Sequence, residues 1–402
     1  MALLPPFIAP SAFTDADAAL ARAQEIYQSS LAHLRAQFQA FMALRTPPKD
    51  PSPRVRACYP FVRLTVARNA HPDTRLTYGF VAHSGRYEIT LTRPDLYGDY
   101  YAEQFQLLLA NHDEPLEVGV SNQPIPLPFS FGENESFDSN LSAWQREMVP
   151  DVFDLPVLAD MNDRIANGTC VTSPGDAEPL ALFTAPRVDY SLYRLRHYSG
   201  TSPEYFQNFV LFTNYAFYVD EFIQFGRAQM RNVASAYSAF VEPGNVITER
   251  ASASDQAPRT TGTRPERAPQ MPTYHLMRPD RSGITLVDIG VGPSNAKTIT
   301  DHIAVLRPHA WIMVGHCAGL RNSQRLGDYV LAHGYVRDDH VLDQDLPPWV
   351  PVPALAEVQI ALQEAVADVT RLHGPELKRV LRTGTVATTD NRNWELRGGS
   401  AA

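Results

Sequence analysis

Residues 283–336, GITLVDIGVGPSNAKTITDHIAVLRPHAWIMVGHCAGLRNSQRLGDYVLAHGYV, constrain this chain more than any other stretch. An apolar, β-branched run from Ile284 to Ile289, broken only by Asp288, enters Gly290-Val291-Gly292-Pro293-Ser294. Ala296, Ile299, Ile303 and Leu306 then recur at helical spacing until Pro308 stops the pattern. A second apolar run, Ala310 to Val314, enters Gly315-His316-Cys317-Ala318-Gly319. Strand, glycine turn, helix, strand, glycine turn predicts a βαβ unit. Both turns then lie at the carboxyl ends of neighbouring parallel strands, where open α/β sheets bind ligands. Glycines let backbone amides approach a ligand, and Ser294 is placed to cap the helix while its free N–H groups face an anion. Gly290, Gly292, Ser294, Asn295, Gly315, His316 and Cys317 are therefore the candidate ligand contacts. GVGPS is not a dinucleotide fingerprint, because the third glycine and the acidic residue about 20 positions on are both missing. One such turn can be a plain tight turn; two in succession favour a small-ligand site.

With 402 residues the chain is long enough for two domains with separate cores. A net charge of −9 argues against broad electrostatic binding to nucleic acid or acidic membrane. Any anionic substrate must be met by a local cationic cluster. Cys58, Cys170 and Cys317 are odd in number and far apart, which fits a reducing cytoplasm and gives neither a disulfide framework nor zinc spacing. The start, MALLPPFIAPSAF, has no Lys or Arg and is too short to span a membrane.

Thr14-x-x-Asp17 opens a helix whose stripe is Leu20, Tyr27, Leu31, Leu34, Phe38 and Phe41, ended by Pro47-Pro48. A strand around Phe61–Val66 follows. Alternation at Tyr78, Phe80, Ala82 and at Tyr87, Ile89, Leu91 about His83-Ser84-Gly85 predicts a hairpin. A helix over roughly 95–111 and an extended stretch to 131 complete an α+β first domain over 1–186. Its last part, 132–186, reads as an irregular connection. In the second domain, 187–402, Arg187, Arg194, Arg196 and His197 crowd cations into a short stretch of an acidic protein. Their bland alternative is a solvated face paired with Asp189 and Glu204. Phe209–Thr213 reads as a buried strand turning at Asn214, with a helix beginning near Tyr218. Residues 243–272 read as an exposed, mobile insertion. RDDHVLD at 337–343 is expected to be a polar loop, not a metal site. Leu355, Val358, Leu362, Val366, Val369 and Leu372 mark an amphipathic helix closed by Gly374-Pro375, and TGTVATTD reads as a strand.

The strings RVDYSLYRLRHYSGT, VLFTNYAFYVDEF, ITLVDIGVGPSNAKT, GHCAGLRNSQRLGDYVLAH, RDDHVLD and RTGTVATTDNRNWEL, in that order, resemble the nucleoside phosphorylase and nucleosidase superfamily. Within it the chain resembles the AMP nucleosidase family from its first helix to about Arg397. The resemblance implies an α+β domain followed by an α/β phosphorylase-like domain built on a central twisted mixed sheet. It implies a cytoplasmic hexamer that hydrolyses AMP to adenine and ribose 5-phosphate, without a cofactor or metal. ATP as activator and phosphate as inhibitor are implied for the first domain. Arg194, Arg196, His197 and Asn214 are implied at the 5′-phosphate and ribose, with His197 reaching a neighbour's site. Asp390 and Trp394 are suited to the purine pocket, by hydrogen bonding and stacking.

Superfamily phosphorylases grip inorganic phosphate with two arginines and a serine, where this chain has Phe217, Met313 and His316. Each lost charge-assisted hydrogen bond is worth roughly 1.5–3 kcal/mol, which favours water over phosphate as nucleophile. The family's Met-Glu and Ser-Asp motifs fall beyond residue 402, which leaves the catalytic acid unassigned. They would also leave the sheet incomplete at its carboxyl-terminal end, with weak activity and low solubility expected. Three functions stay open: an AMP-hydrolysing enzyme, a non-catalytic regulatory or assembly subunit of that lineage, and a purine nucleoside phosphorylase.

Overall fold

The computed structural model describes residues 3–47, 54–67, 73–131, 141–252, 257–344, 346–391, 393 and 396. The chain divides into two compact units, Met1–Tyr193 and Arg194–Ala402, so the division falls within a helix.

In the first unit β1 (Ser11–Phe13), α1 (Ala16–Met42), β2 (Cys58–Val66), β3 (Gly85–Thr90), α2 (Pro94–His112), β4 (Leu116–Pro124), α3 (Ala143–Val152) and β5 (Glu178–Pro179) precede α4 (Ala185–Ser199). The sheet order is β1-β4-β2-β3-β5, antiparallel except for the β3–β5 pair. Asp15, not Thr14, caps α1, its carboxylate accepting from the Ala18 amide at 2.8 Å. The predicted stripe is buried except at Leu20, which is half-buried: Tyr27, Leu31, Leu34, Phe38 and Phe41 join Ile125, Val149 and Phe153 in a single core.

Two expectations fail here. Residues 78–82 form no strand; β3 pairs with β2 instead, from Phe61 opposite Thr90 to Val66 opposite Gly85. The alternation at 78–82 is cut by Gly79, whose φ of +79° takes the backbone out of the extended region. Nor is all of 132–186 an irregular connection: 132–140 lie outside the described residues, 143–152 form a helix, and the irregular part is 153–184, apart from β5. Ser142 and Gln145 form a capping box that starts α3, and Gln145 Nε2 donates to the carbonyls of Phe41 and Met42 at 3.1 and 3.0 Å. Gln145 thus starts one helix and satisfies the open carbonyls at the end of another. A single polar residue with two jobs leaves no apolar period to read.

In the second unit β6 (Phe209–Thr213), α5 (Ala216–Arg231), β7 (Ala239–Glu242), β8 (Val246–Glu249), β9 (Arg259–Thr261), β10 (Thr273–Met277), β11 (Ile284–Asp288), α6 (Pro293–Ile303), β12 (Ala310–Met313), β13 (Tyr329–Asp338), α7 (Ala356–Thr370) and β14 (Leu381–Thr389) follow. A mixed sheet runs β12-β6-β11-β10-β7-β8-β9; its first three strands are parallel and the rest antiparallel. β13 and β14 pair in parallel as a separate sheet. Val219, Phe222 and Met230 of α5 pack on Phe240, Leu276 and Leu286.

The βαβ unit forms, with one correction: β11 and β12 are not neighbours, because β6 lies between them. The crossover through α6 steps over a strand that comes earlier in the chain, and local periodicity carries no record of that. The expected insertion at 243–272 is also corrected. Val246–Glu249 and Arg259–Thr261 extend the sheet, and Val246, Ala251 and Met271 are buried. Gly244 and Asn245, at φ +86° and +55°, make the hairpin turn from β7. Pro-Gly-Asn is a turn signal, and Val-Ile-Thr-Glu after it alternates as a strand should. No described helix is long and apolar enough to cross a membrane.

Candidate active site

Because β12, β6 and β11 are parallel, the turns that follow them lie at one edge of the sheet. Their ladders run past the strand ends: Ile289 N donates to Thr213 O and Val314 N to Phe212 O, each at 2.8 Å. Gly290 at φ +66° and Gly292 at φ +103° turn the chain into α6 in a backbone region that side chains resist. Asp288 Oδ1 accepts from the Gly290 amide at 3.1 Å, and Asn295 Nδ2 donates to Val291 O at 3.2 Å, so the turn is held from both ends. Gly292, not Ser294, is the N-cap of α6, with Pro293 at the first helical position. The cap's positive φ excludes serine, and proline suits N1. Ser294 is exposed in the first turn, its hydroxyl open to a ligand.

Gly315 brings the β12 turn onto the β6 turn. A Cβ there would lie 3.4 Å from the Tyr215 ring and 3.9 Å from Asn214 Oδ1. His316 then packs on Tyr215 with ring centroids 4.3 Å apart, and its Nε2 lies 3.1 Å from Tyr218 Oη. Asp390, just past β14, joins the same edge: a Cβ on Gly292 would sit 3.8 Å from its Oδ1. The structure thus brings together Asn214, Gly290, Gly292, Asn295, Gly315, His316 and Asp390, with Cys317 exposed beside them. Trp394 lies outside the described residues. Residues 214–218, 290–296 and 314–320 contain no Lys or Arg. Among the described residues, no group of three or more His, Cys, Asp or Glu side chains is arranged to hold a metal ion. At 337–343, His340 Nδ1 shares a 2.7 Å hydrogen bond with Asp343.

The cationic stretch is not at this edge. Arg194 lies over the Tyr198 ring at 4.5 Å and donates to its hydroxyl, and Tyr198 stacks on His302 at 5.9 Å. His302 is at the far end of α6 from the glycine turn, about 15 Å along the axis at 1.5 Å per residue. Arg196 and His197 are exposed on the same helix. Arg187 is different in kind: buried, and paired with Asp163 at 2.6 Å. Asp189 is buried too and accepts from Tyr59 and Thr92, so it does not neutralise the arginines as the bland alternative supposed.

Sequence reasoning missed Tyr215 and Tyr218. They are the N-cap and N3 residues of α5, a spacing that puts both side chains over one end of a helix. Two tyrosines three apart ahead of an amphipathic run were the available signal.

Residues 18–177 match the family described as bacterial AMP nucleoside phosphorylase N-terminus, and residues 251–397 match the phosphorylase superfamily. The mixed sheet with its three-turn mouth is accordingly a phosphorylase-superfamily domain. More narrowly, the chain belongs to the AMP nucleosidase family. It is 44% identical over 389 residues, 96% of this chain and 78% of the relative, to the AMP nucleosidase of Escherichia coli (strain K12). The same figures hold for that of Escherichia coli O157:H7. Among solved structures, AMP nucleosidase from Bacteroides thetaiotaomicron VPI-5482 is 23% identical with a TM-score of 0.35, over 52% of this chain and 71% of that one.

Proposed function

We propose that the chain is an N-glycosyl hydrolase that cleaves AMP to adenine and ribose 5-phosphate. One observation carries the choice of nucleophile: in a member of this family, the residues at the three strand ends, 214–218, 290–296 and 314–320, bear no Lys or Arg. A phosphate nucleophile would bring about two negative charges to strand ends that carry no cation of their own. Water brings none. In the reaction the C1′–N9 bond breaks with its electron pair leaving on the purine, water's oxygen bonds to C1′, and a proton returns to the base. Backbone amides of the Gly290–Ser294 turn suit the ribose oxygens, and Asp390 suits the purine's hydrogen-bonding edge.

The substrate's 5′-phosphate still needs a cation. Arg194, Arg196 and His197 are the proposed source, offered to the mouth of a second copy, because within one chain they sit toward the other end of α6. That arrangement supports a homo-oligomer, with the hexamer of the resemblance as its proposed form. Cysteine usage supports a cytoplasmic setting. On the resemblance alone, ATP and phosphate are the proposed activator and inhibitor acting on the first unit.

Adenine release from AMP, assayed with and without inorganic phosphate and with the sugar product identified, tests the reading. Ribose 5-phosphate formed without phosphate is expected. Strictly phosphate-dependent release would make the chain a phosphorylase, and no release would leave it a non-catalytic subunit.

A further inference from the structure

The proposed reading gives the Tyr218–His316 pair no part in holding the base or the phosphate of AMP, yet the pair is closely packed at the mouth. Tyr215 and Tyr218 project from one end of α5, and His316 reaches them from the turn after β12. The His316 ring is 4.3 Å from that of Tyr215 and 5.5 Å from that of Tyr218. Tyr215 meets Tyr218 edge to face at 6.2 Å, and Phe217 stands 5.5 Å behind Tyr218. Gly315 lies against the same ring: a Cβ there would sit 3.4 Å from Tyr215, in ordinary contact. An exposed imidazole is thereby held in one orientation, with Nε2 facing Tyr218 Oη at 3.1 Å. Nδ1 makes no hydrogen bond to the described residues and is left for a ligand.

A water that attacks carbon does so through an oxygen lone pair, so its protons must point away from C1′ toward an acceptor. Glycine-turn amides are donors and cannot fill that role. Asn214 Oδ1, another acceptor at this edge, is closed off from solvent, and the Asp390 carboxylate is given above to the purine. We propose that Tyr218 and Tyr215 are positioning residues that hold His316 as its Nε2–H tautomer. Nε2–H then donates to the Tyr218 hydroxyl, and Nδ1 accepts a hydrogen bond from the attacking water. The assignment deepens the AMP-hydrolysis reading and rests on it.

Two measurements separate the failure of one from the failure of the other. The first is kcat and KM for adenine release by the wild type, Tyr218→Phe, His316→Leu and His316→Asn. Tyr218→Phe keeps the ring contacts and loses only the hydroxyl, so kcat should fall about tenfold with KM for AMP little changed. His316→Leu should fall further. His316→Asn carries an acceptor oxygen near the Nδ1 position and should recover much of the loss, which a purely structural histidine would not allow. The second is nitrogen-15 NMR of His316, which reports its tautomer without turnover. The Nε2–H form should dominate in the wild type and become mixed in Tyr218→Phe. A dominant Nδ1–H form overturns the proposal, as does a raised KM with unchanged kcat in the variants. If the wild type releases no adenine, the AMP reading fails, and the tautomer alone still decides how His316 is held.

Discussion

Tyr59 donates its hydroxyl to Asp189 Oδ2 at 2.6 Å, and Thr92 donates to the other carboxylate oxygen at 2.7 Å. Burial pushes the Asp189 carboxyl up to about 6, against the pull of both hydrogen bonds and of the Arg93 charge. A carboxyl more easily protonated when folded binds more protons than its unfolded form between about pH 4 and pH 6. Its contribution is therefore full below that window and is lost as pH rises through about 6. At about 1.4 kcal/mol per pKa unit, the change amounts to roughly 3 kcal/mol. Relative to Asp189→Asn, the wild type should lose stability between pH 4 and pH 7 in urea melts. Parallel pH curves for the two proteins would contradict the assignment.

His275 should bend the curve the other way. It is fully buried on strand β10 of the second unit's sheet, with Thr201 Oγ1 at 2.8 Å from Nε2 and Thr285 Oγ1 at 3.0 Å from Nδ1. Burial lowers its pKa to about 3. The unfolded imidazole takes up its proton near 6.5, so stability from this group is present above that pH and is lost as pH falls toward 3. His275→Phe removes one hydrogen bond from each threonine hydroxyl, which keep Ser199 Oγ and the Gln207 amide as partners, and should be less stable at every pH. Its stability should nevertheless fall less steeply than the wild type's between pH 6.5 and pH 4; an equally steep fall would clear His275 of any part in acid lability.

Two helical glycines should respond to alanine with opposite signs. At Gly226 in α5 a Cβ would sit 2.6 Å from the Phe240 ring, which is fully buried between Phe222 and Tyr274 and has nowhere to move. Overpacking of about 1–3 kcal/mol outweighs a helix-propensity gain of about 1 kcal/mol, so Gly226→Ala should lower the melting temperature. At Gly98 in α2 the nearest neighbour is Leu20 at 4.0 Å, an ordinary contact. Gly98→Ala should raise stability by about 0.5–1 kcal/mol.

Arg196→Ala should weaken AMP binding by about 1.5–3 kcal/mol, roughly ten- to a hundredfold, and adenosine binding far less. Titration of both ligands into the variant checks this. Equal losses would make the arginine structural, and an unchanged AMP affinity would remove it from the site.

Sequence by itself determined whatever depends on neighbours in the chain. The stripe from Tyr27 to Phe41 sets α1, the spacing of Ile299 and Ile303 sets α6, and Gly290 and Gly292 set the turn between β11 and α6, because periodicity and positive φ are local properties. The strings around those turns also carried the family. Tertiary structure alone decided what pairs across the chain. β6 enters between β11 and β12, Gln145 ends α1 from a helix a hundred residues on, and β8 and β9 extend the sheet from a stretch that looked unable to pack. Likewise, no spacing places Tyr218 on His316 or stacks Tyr198 on His302. Each of those contacts joins segments whose own sequences are content with several partners, and the choice falls only when strand order and packing bring one of them within reach.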